Sequence, residues 1–446
     1  MLSKSQYTRG TNCHKSLWLY RHKREEQMIS DATMAVFARG TSVGELAQQF
    51  FPNGKLAVLE DYPGYESAKR TQEYIEQGIE TIYEATFIYD NTLVAVDILH
   101  KENGQWSISE VKSTNSTKPQ HIIDVAVQYY VVAGSGLQVG NAYLMHFNRN
   151  YVRRGDIDIK DLFTADSILQ EVLQKQGEVK ENILILLSML QGSEPSIEMG
   201  RHCREPYECD FQECCRSFLP SEVPVELSSE PIVNEKEVRG YVNAIEYPIC
   251  HLDFETIMPG VPMFDESRPY QQIPFQYSIH FQASKDSNVI HSEYLAPSDI
   301  NVDPRLGLIE KLIETTCDAK TVFVYNIAFE RTRINEMIRD FPQYKKQLES
   351  INNRMVDLII PFRKKYYRTE SMEGSSSIKK VLPALCPELS YHDLEIGDGM
   401  AASNAFLGLY YCDDEQYIQH VRQNLLKYCG LDTLAMVRVL EVLNRV

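Results

Sequence analysis

The chain has 446 residues, 43% hydrophobic and 24% charged, with a formal charge of −17, proportions that suit a globular protein of two or three domains. No apolar run approaches the roughly 20 residues of a membrane span, and the first residues lack the apolar core of a signal peptide, so a cytoplasmic protein with no membrane partner is expected. The acidic balance argues against a general nucleic-acid coat, which needs Lys and Arg for phosphates, yet permits an enzyme with a local basic groove and acidic metal sites.

In chain order, a short helix is expected over 11–22 with Cys13 at its start, and another over 33–51 carrying Gly40, Gly44 and Glu45. Residues 65–80 read as a helix. Alternation then predicts strands at 82–89, 93–100 and 106–112, with Asn103-Gly104 as a hairpin turn. A helix over 121–133, a strand over 142–147 and a long helical stretch over 161–192 complete a first domain, 1–217. Prolines 220, 224 and 231 mark 218–246 as a linker. The second domain, 247–446, has expected strands at 248–255, 275–282, 290–296 and 321–325. Expected helices follow at 304–317, 328–340, 342–351, 376–384 and 414–445. The order predicts an α/β chain whose second domain is a mixed sheet with helices on both faces.

Two constellations carry chemistry. In the first, Asp97 ends an apolar strand and Glu110 and Lys112 share a face of the next. Two carboxylates and an ammonium on one sheet face suit phosphodiester hydrolysis. The acids hold a hard cation, and the lysine stabilises the charge that develops on the phosphate. Glu45 and Gln128 flank this set on the preceding and following helices. The order of these residues resembles the RecB-like branch of the PD-(D/E)xK nucleases, which implies a restriction-endonuclease-like fold. It also implies metal ligation by Glu45, Asp97 and Glu110 and catalytic roles for Lys112 and Gln128. The motif that usually reads Gln-x-x-x-Tyr stands here as Gln128-Tyr129-Tyr130.

Cys203, Cys209, Cys214 and Cys215 crowd into thirteen positions. In a reducing compartment such a set suggests a metal before disulfides. Some RecB-like nucleases, including CRISPR-associated adaptation nucleases, carry one cysteine before the core and three after it. That resemblance implies a 4Fe-4S cluster on Cys13, Cys203, Cys209 and Cys215, with Cys214 competing for the last place and zinc as the alternative ion.

The second constellation begins at Asp253 and Glu255. Residues two apart on a strand share a face, and two carboxylates there resist burial unless a cation joins them. Glu330 opens a helix after the strand ending at Asn326. Tyr428 and Asp432 share a face of the C-terminal helix. This pattern resembles the DnaQ-like 3′–5′ exonucleases whose last motif is Tyr-x-x-x-Asp, with Glu330 standing where the family usually has Asp. The resemblance implies a ribonuclease H-like fold and two Mg²⁺ or Mn²⁺ ions on Asp253, Glu255, Glu330 and Asp432. Tyr428 would orient water. Asp357 lies where such proteins often carry an auxiliary acid.

Arg363, Lys364, Lys365, Tyr366 and Arg368 interleave cations and rings, as single-strand binding requires. The whole order resembles a fusion of the two nuclease types. It implies a metal-dependent DNA nuclease acting on single strands or free ends, in repair or genome defence. An RNA 3′–5′ exonuclease and a nucleic-acid-binding scaffold with one degenerate core are the alternatives.

Overall fold

A computed structural model describes residues 1–29, 40, 42–217, 230–392 and 394–446. Its contacts divide the chain into two units: Met1–Glu222 with Gly260–Tyr270, and Val223–Pro259 with Gln271–Val446. Both are α/β and each is built on a mixed sheet. Among the described residues, no helix is long and apolar enough to cross a membrane.

The first unit's described sheet has seven strands: β1 (Leu2–Ser3), β2 (Lys55–Leu56), β3 (Thr81–Tyr89), β4 (Thr92–Glu102), β5 (Gln105–Lys112), β6 (Val139–Phe147) and β7 (Phe163–Ser167). Their order is β2-β3-β4-β5-β6-β7, with β1 pairing β4. β3, β4 and β5 are antiparallel; helix Pro119–Gly134 then returns the chain so that β6 lies parallel to β5. Two tight turns set the registers. Asp90 and Asn91, and Asn103 and Gly104, all adopt positive φ, the backbone that two-residue hairpins need. Tyr89 therefore faces Thr92, and Glu102 faces Gln105.

One core lies under helices Pro119–Gly134 and Gln176–Met189 and takes Ala85, Phe87, Val94, Val96 and Ile108. A second core takes Met145, Phe147 and Phe163. β3 and β4 exchange cores midway: Ile82 and Leu99 enter the first, but Tyr83 and Ile98 enter the second. The pivot is Glu84, at φ 51° within a strand. A left-handed non-glycine residue there is strained and breaks the alternation.

Three expected elements differ. The stretch 161–192 is not one helix. In Phe163–Ser167 only Phe163 is buried and the following residues alternate half-buried and exposed; the strand pairs with β6, and helices Leu169–Gln174 and Gln176–Met189 follow. Its period over those five residues is two, and an open β6 edge was there to meet it. The expected helix 11–22 is two helices, Lys4–Asn12 and His14–His22, joined at Cys13. Within the expected linker, 218–229 lies outside the described residues, while helix Glu235–Asn243 folds with Val238 fully buried. Of the expected helix 33–51, residues 42–48 are helical and 33–39 and 41 lie outside the described residues.

The second unit contains β8 (Ile232–Val233), β9 (Ile249–Ile257), β10 (Ile273–Gln282), β11 (Val289–Leu295), β12 (Thr321–Val324), β13 (Met355–Asp357) and β14 (Tyr367–Arg368). The main sheet runs β11-β10-β9-β12-β13, with β11, β10 and β9 antiparallel and β9, β12 and β13 parallel; β14 pairs β8 separately. Alternation along β9 sorts its side chains. Cys250, Leu252 and Phe254 enter a core with helices Pro304–Thr316, Ala328–Asp340 and Lys345–Asn353. Ile249 joins a core on the other face with Met436, Val439 and Leu440 of helix Glu415–Leu443. Asp253 and Glu255 share the face of Ile249, so that long helix crosses beside them.

Candidate active sites

In the second unit, the site is assembled from four elements. β9 supplies Asp253 and Glu255, and helix Glu415–Leu443 supplies Tyr428 and Asp432 one turn apart. Glu330 comes from the first turn of helix Ala328–Asp340, where the helix dipole favours an acid. Asn326 makes that placement possible: it adopts φ 77° at the end of β12, which Asn tolerates, and its N–H donates to Asp357 Oδ1 at 3.0 Å. The fourth element is the segment after helix Ile378–Leu385. Its Tyr391 hydroxyl donates to Asp432 Oδ1 at 2.7 Å.

The acids are crowded and short of counter-charge. Burial first, then Asp432, Glu255 and Glu330, push Asp253 well above the usual carboxylate range. Burial and Asp432 do the same to Glu255, against the pull of Lys379. Burial raises Glu330 to about 8. It raises Asp432 to about 6, with Tyr391, Lys379 and Tyr428 pulling the other way. Glu330 is 2% exposed and its Oε2 has no hydrogen-bond partner. Such a set is electrostatically incomplete, and a divalent cation is the ordinary way to complete it. All five residues read from sequence meet here. Asp357 lies beside Glu330 and adds to its repulsion.

The sequence reading misses Tyr391, takes Cys429 for an inert core thiol and offers Lys379 only as a phosphate contact. Lys379 Nζ stands 5.6 Å from the ring centres of both Tyr391 and Tyr428. Tyr391 sits in an irregular segment, so no periodicity marks it. Of the basic stretch, Arg363, Lys364, Lys365 and Arg368 are exposed and Tyr366 is half-buried. Arg363 Nη2 donates to Asn326 Oδ1 at 3.3 Å, which anchors the stretch beside the start of Glu330's helix.

In the first unit, the registers bring three acids near one another. The pairs Tyr83–Ile98, Ala85–Val96 and Ile98–Ser109 flank Glu84, Asp97 and Glu110, and both Glu110 and Glu84 repel Asp97. Glu110 is buried and gripped: Lys4 Nζ lies 2.6 Å and Lys112 Nζ 2.8 Å from Oε1, and Gln128 Nε2 donates to Oε2. Burial opposes its charge, but Lys112 and Lys4 hold it well below the carboxylate range. Asp97 accepts from the Val111 N–H at 2.7 Å, and burial with Glu110 pushes it up to about 8. Lys112 also meets Asp124 at 2.5 Å. Asp97, Glu110, Lys112 and Gln128 are thus together. Glu45 is exposed on the helical residues 42–48, and among the described residues no hydrogen bond or ion pair joins it to Asp97 or Glu110. Lys4 and Glu84 were missed. The turn registers contained the signal for Glu84; nothing local marks Lys4, which is 106 residues from Glu110.

Cys13, Cys203, Cys209 and Cys215 line one small cavity, and Cys214 is not among its lining residues. Cys13 ends the first helix and caps the second, accepting from the Ser16 N–H at 3.4 Å. Arg9 grips Asp210 through two hydrogen bonds, of 2.6 and 2.8 Å, and so ties the first helix to the cysteine segment. Among the described residues, no three of these sulfurs lie within 4.8 Å of one another.

Residues 250–377 match a family described as "Domain of unknown function (DUF2779)". The match spans Asp253, Glu255 and Glu330 and stops before Tyr428 and Asp432. The chain is 29% identical over 206 residues to the uncharacterized protein MG366 homolog of Mycoplasma pneumoniae, covering 42% of this chain and 31% of that protein. It is 27% identical over 213 residues to the uncharacterized protein MG366 of Mycoplasma genitalium, covering 44% and 32%. The uncharacterized protein UU173 of Ureaplasma parvum is 27% identical over 214 residues, covering 42% and 30%. The match spans about a third of the length of these relatives.

Proposed function

We propose that this chain is a metal-dependent DNA nuclease with two active sites, a PD-(D/E)xK-type site in the first unit and a DnaQ-like 3′–5′ exonuclease site in the second. The observation that carries this reading is the convergence of Asp253, Glu255, Glu330 and Asp432, with raised pKa values and an unpartnered Glu330 oxygen. Those oxygens fit Mg²⁺ or Mn²⁺, as do Asp97 and Glu110 in the first unit. When bound, such ions activate water and neutralise the charge of the leaving oxygen.

The chain's own residues do the rest. Tyr428 orients the attacking water, and Tyr391 holds Asp432 in place. Lys379 and the exposed Arg363, Lys364, Lys365 and Arg368 receive backbone phosphates of a single strand. In the first unit, Lys112 stabilises the phosphate's developing charge while Gln128 fixes Glu110. Glu84 replaces Glu45 as the neighbouring acid.

The four thiols that share a cavity fit a 4Fe-4S cluster better than zinc. A tetrahedral zinc site with Zn–S of about 2.3 Å keeps its sulfurs about 3.8 Å apart, whereas no three of these lie within 4.8 Å of one another. A cluster with several metal atoms holds its thiolates farther apart. Its role would be to join the unit's two ends.

The test is digestion of end-labelled single- and double-stranded DNA, and of RNA, with Mg²⁺ or Mn²⁺. We expect Asp253→Ala to remove 3′ trimming and Lys112→Ala to lower the other activity by about 10²–10³-fold. Degradation of RNA alone would move the assignment to an RNA exonuclease, and no degradation of any substrate would overturn the reading.

A further inference from the structure

One group in the second site has no part in the reading above. Cys429 lies between Tyr428 and Asp432 on helix Glu415–Leu443, fully buried. Buried thiols ordinarily pack among apolar side chains and are inert. This one does not: its sulfur and carboxylate oxygens of Asp253 and Glu255 all lie within 4.8 Å of one another. Among the described residues, no other set of three potential ligands is so close. Its S–H is 3.9 Å from the Asp253 carbonyl oxygen, a weak contact at most. A second observation points to a cation beside this set: Glu330, which adds to the repulsion on Asp253, is 2% exposed and its Oε2 has no hydrogen-bond partner among the described residues.

We propose that this is a mixed carboxylate–thiolate metal site in which Cys429 is a ligand. The proposal rests on the acid cluster being a metal site, as argued above. Oxygen donors alone favour hard ions such as Mg²⁺. A thiolate adds affinity for softer ions, so this site should take Zn²⁺ or Cd²⁺ over Mg²⁺. On binding, the ion replaces the thiol proton, which passes to solvent.

The probe is ¹¹³Cd²⁺ added to the full chain and followed by cadmium NMR, where sulfur ligands move the resonance far from the all-oxygen region. The wild type should give a resonance at a mixed oxygen–sulfur position, separate from any all-sulfur signal of the N-terminal thiols. In Cys429→Ser that resonance should move to the all-oxygen region, with Cd²⁺ affinity at the site weakened more than about tenfold. In Asp253→Asn it should weaken or vanish. A wild-type resonance in the all-oxygen region, lost in Asp253→Asn but unchanged in Cys429→Ser, would leave the metal site standing and overturn the thiolate. No resonance outside the all-sulfur region would overturn both. The wild-type position is informative by itself, so the test survives a Cys429→Ser chain that fails to fold.

Discussion

Glu330, Asp97 and Asp432 share one predicament: each is an acid that the fold holds partly protonated. In the unfolded chain such groups titrate near pH 4. In the fold, burial raises Asp432 to about 6 and Asp97 and Glu330 to about 8. Between about pH 4 and pH 8 these three groups therefore bind more protons in the fold than in the unfolded chain, and the stability they contribute falls as pH rises. The contribution is complete below about pH 4 and is lost as pH climbs through the folded values. A divalent ion bound as proposed would take the place of those protons, so its stabilising effect should grow with pH. Melting temperatures with Mn²⁺ and with a chelator, from pH 5 to pH 8, check this: the gap should widen steadily, and a constant or shrinking gap would contradict it. At this scale Asp253, Glu255, Asp432 and Tyr428 were legible because spacing along one element fixes a shared face. Tyr391 and Lys4 were not, because their partners are distant in sequence and only folding brings them near.

At the scale of elements, the exposed surfaces tolerate change and the buried ion pairs do not. Arg305, at the start of helix Pro304–Thr316, is fully buried and lies 2.7 Å from Asp303 and 3.0 Å from Asp340. Asp340 ends the helix that begins with Glu330's turn, so this pair holds the far end of an element that carries a site residue. Removing both acids would leave the Arg305 charge uncompensated, which costs about 3–5 kcal/mol; in Asp340→Ala alone Asp303 still faces it. Replacing Asp303 and Asp340 together by Ala should therefore lower the stability of the second unit by about that amount, read by urea denaturation, and Asp340→Ala alone by less; a loss under about 1 kcal/mol in the double variant would contradict this. Most helices and strands of this unit follow the expected pattern, since their amphipathic periods are long and clear. The first unit's β7 was hidden by a neighbouring helical stripe, and the exchange of cores at Glu84 has no trace in the alternation, because strain is a property of the assembled sheet.

For the molecule as a whole, charge is the property that matters for substrate. A net charge of −17 repels nucleic acid, so the proposed binding would have to be local. The exposed stretch Arg363–Arg368 is the place proposed for it. Each phosphate contact to a single strand contributes about 0.7 to the slope of log K against log salt. Replacing Arg363, Lys364 and Lys365 together by Ala should reduce that slope by about 2 and weaken single-strand binding, measured by fluorescence anisotropy at several salt concentrations. An unchanged slope would place the backbone path elsewhere. The two units have separate cores, so Lys112→Ala and Asp253→Ala should act independently, and their combined effect on total digestion should be the sum of the separate ones.

Short-range order was already determined by the sequence: the α/β character, the two hairpin registers, the faces shared by Asp253 with Glu255 and by Tyr428 with Asp432. These follow from the two backbone periods and from turn chemistry, which act over a few residues. Tertiary structure alone decided which distant groups meet. It put Glu84 and Lys4 beside Asp97. It chose Cys215 over Cys214 for the shared cavity, and it set the Cys429 thiol among carboxylates. Those choices depend on how elements pack, and packing answers to the summed burial of whole faces rather than to the spacing of any one motif.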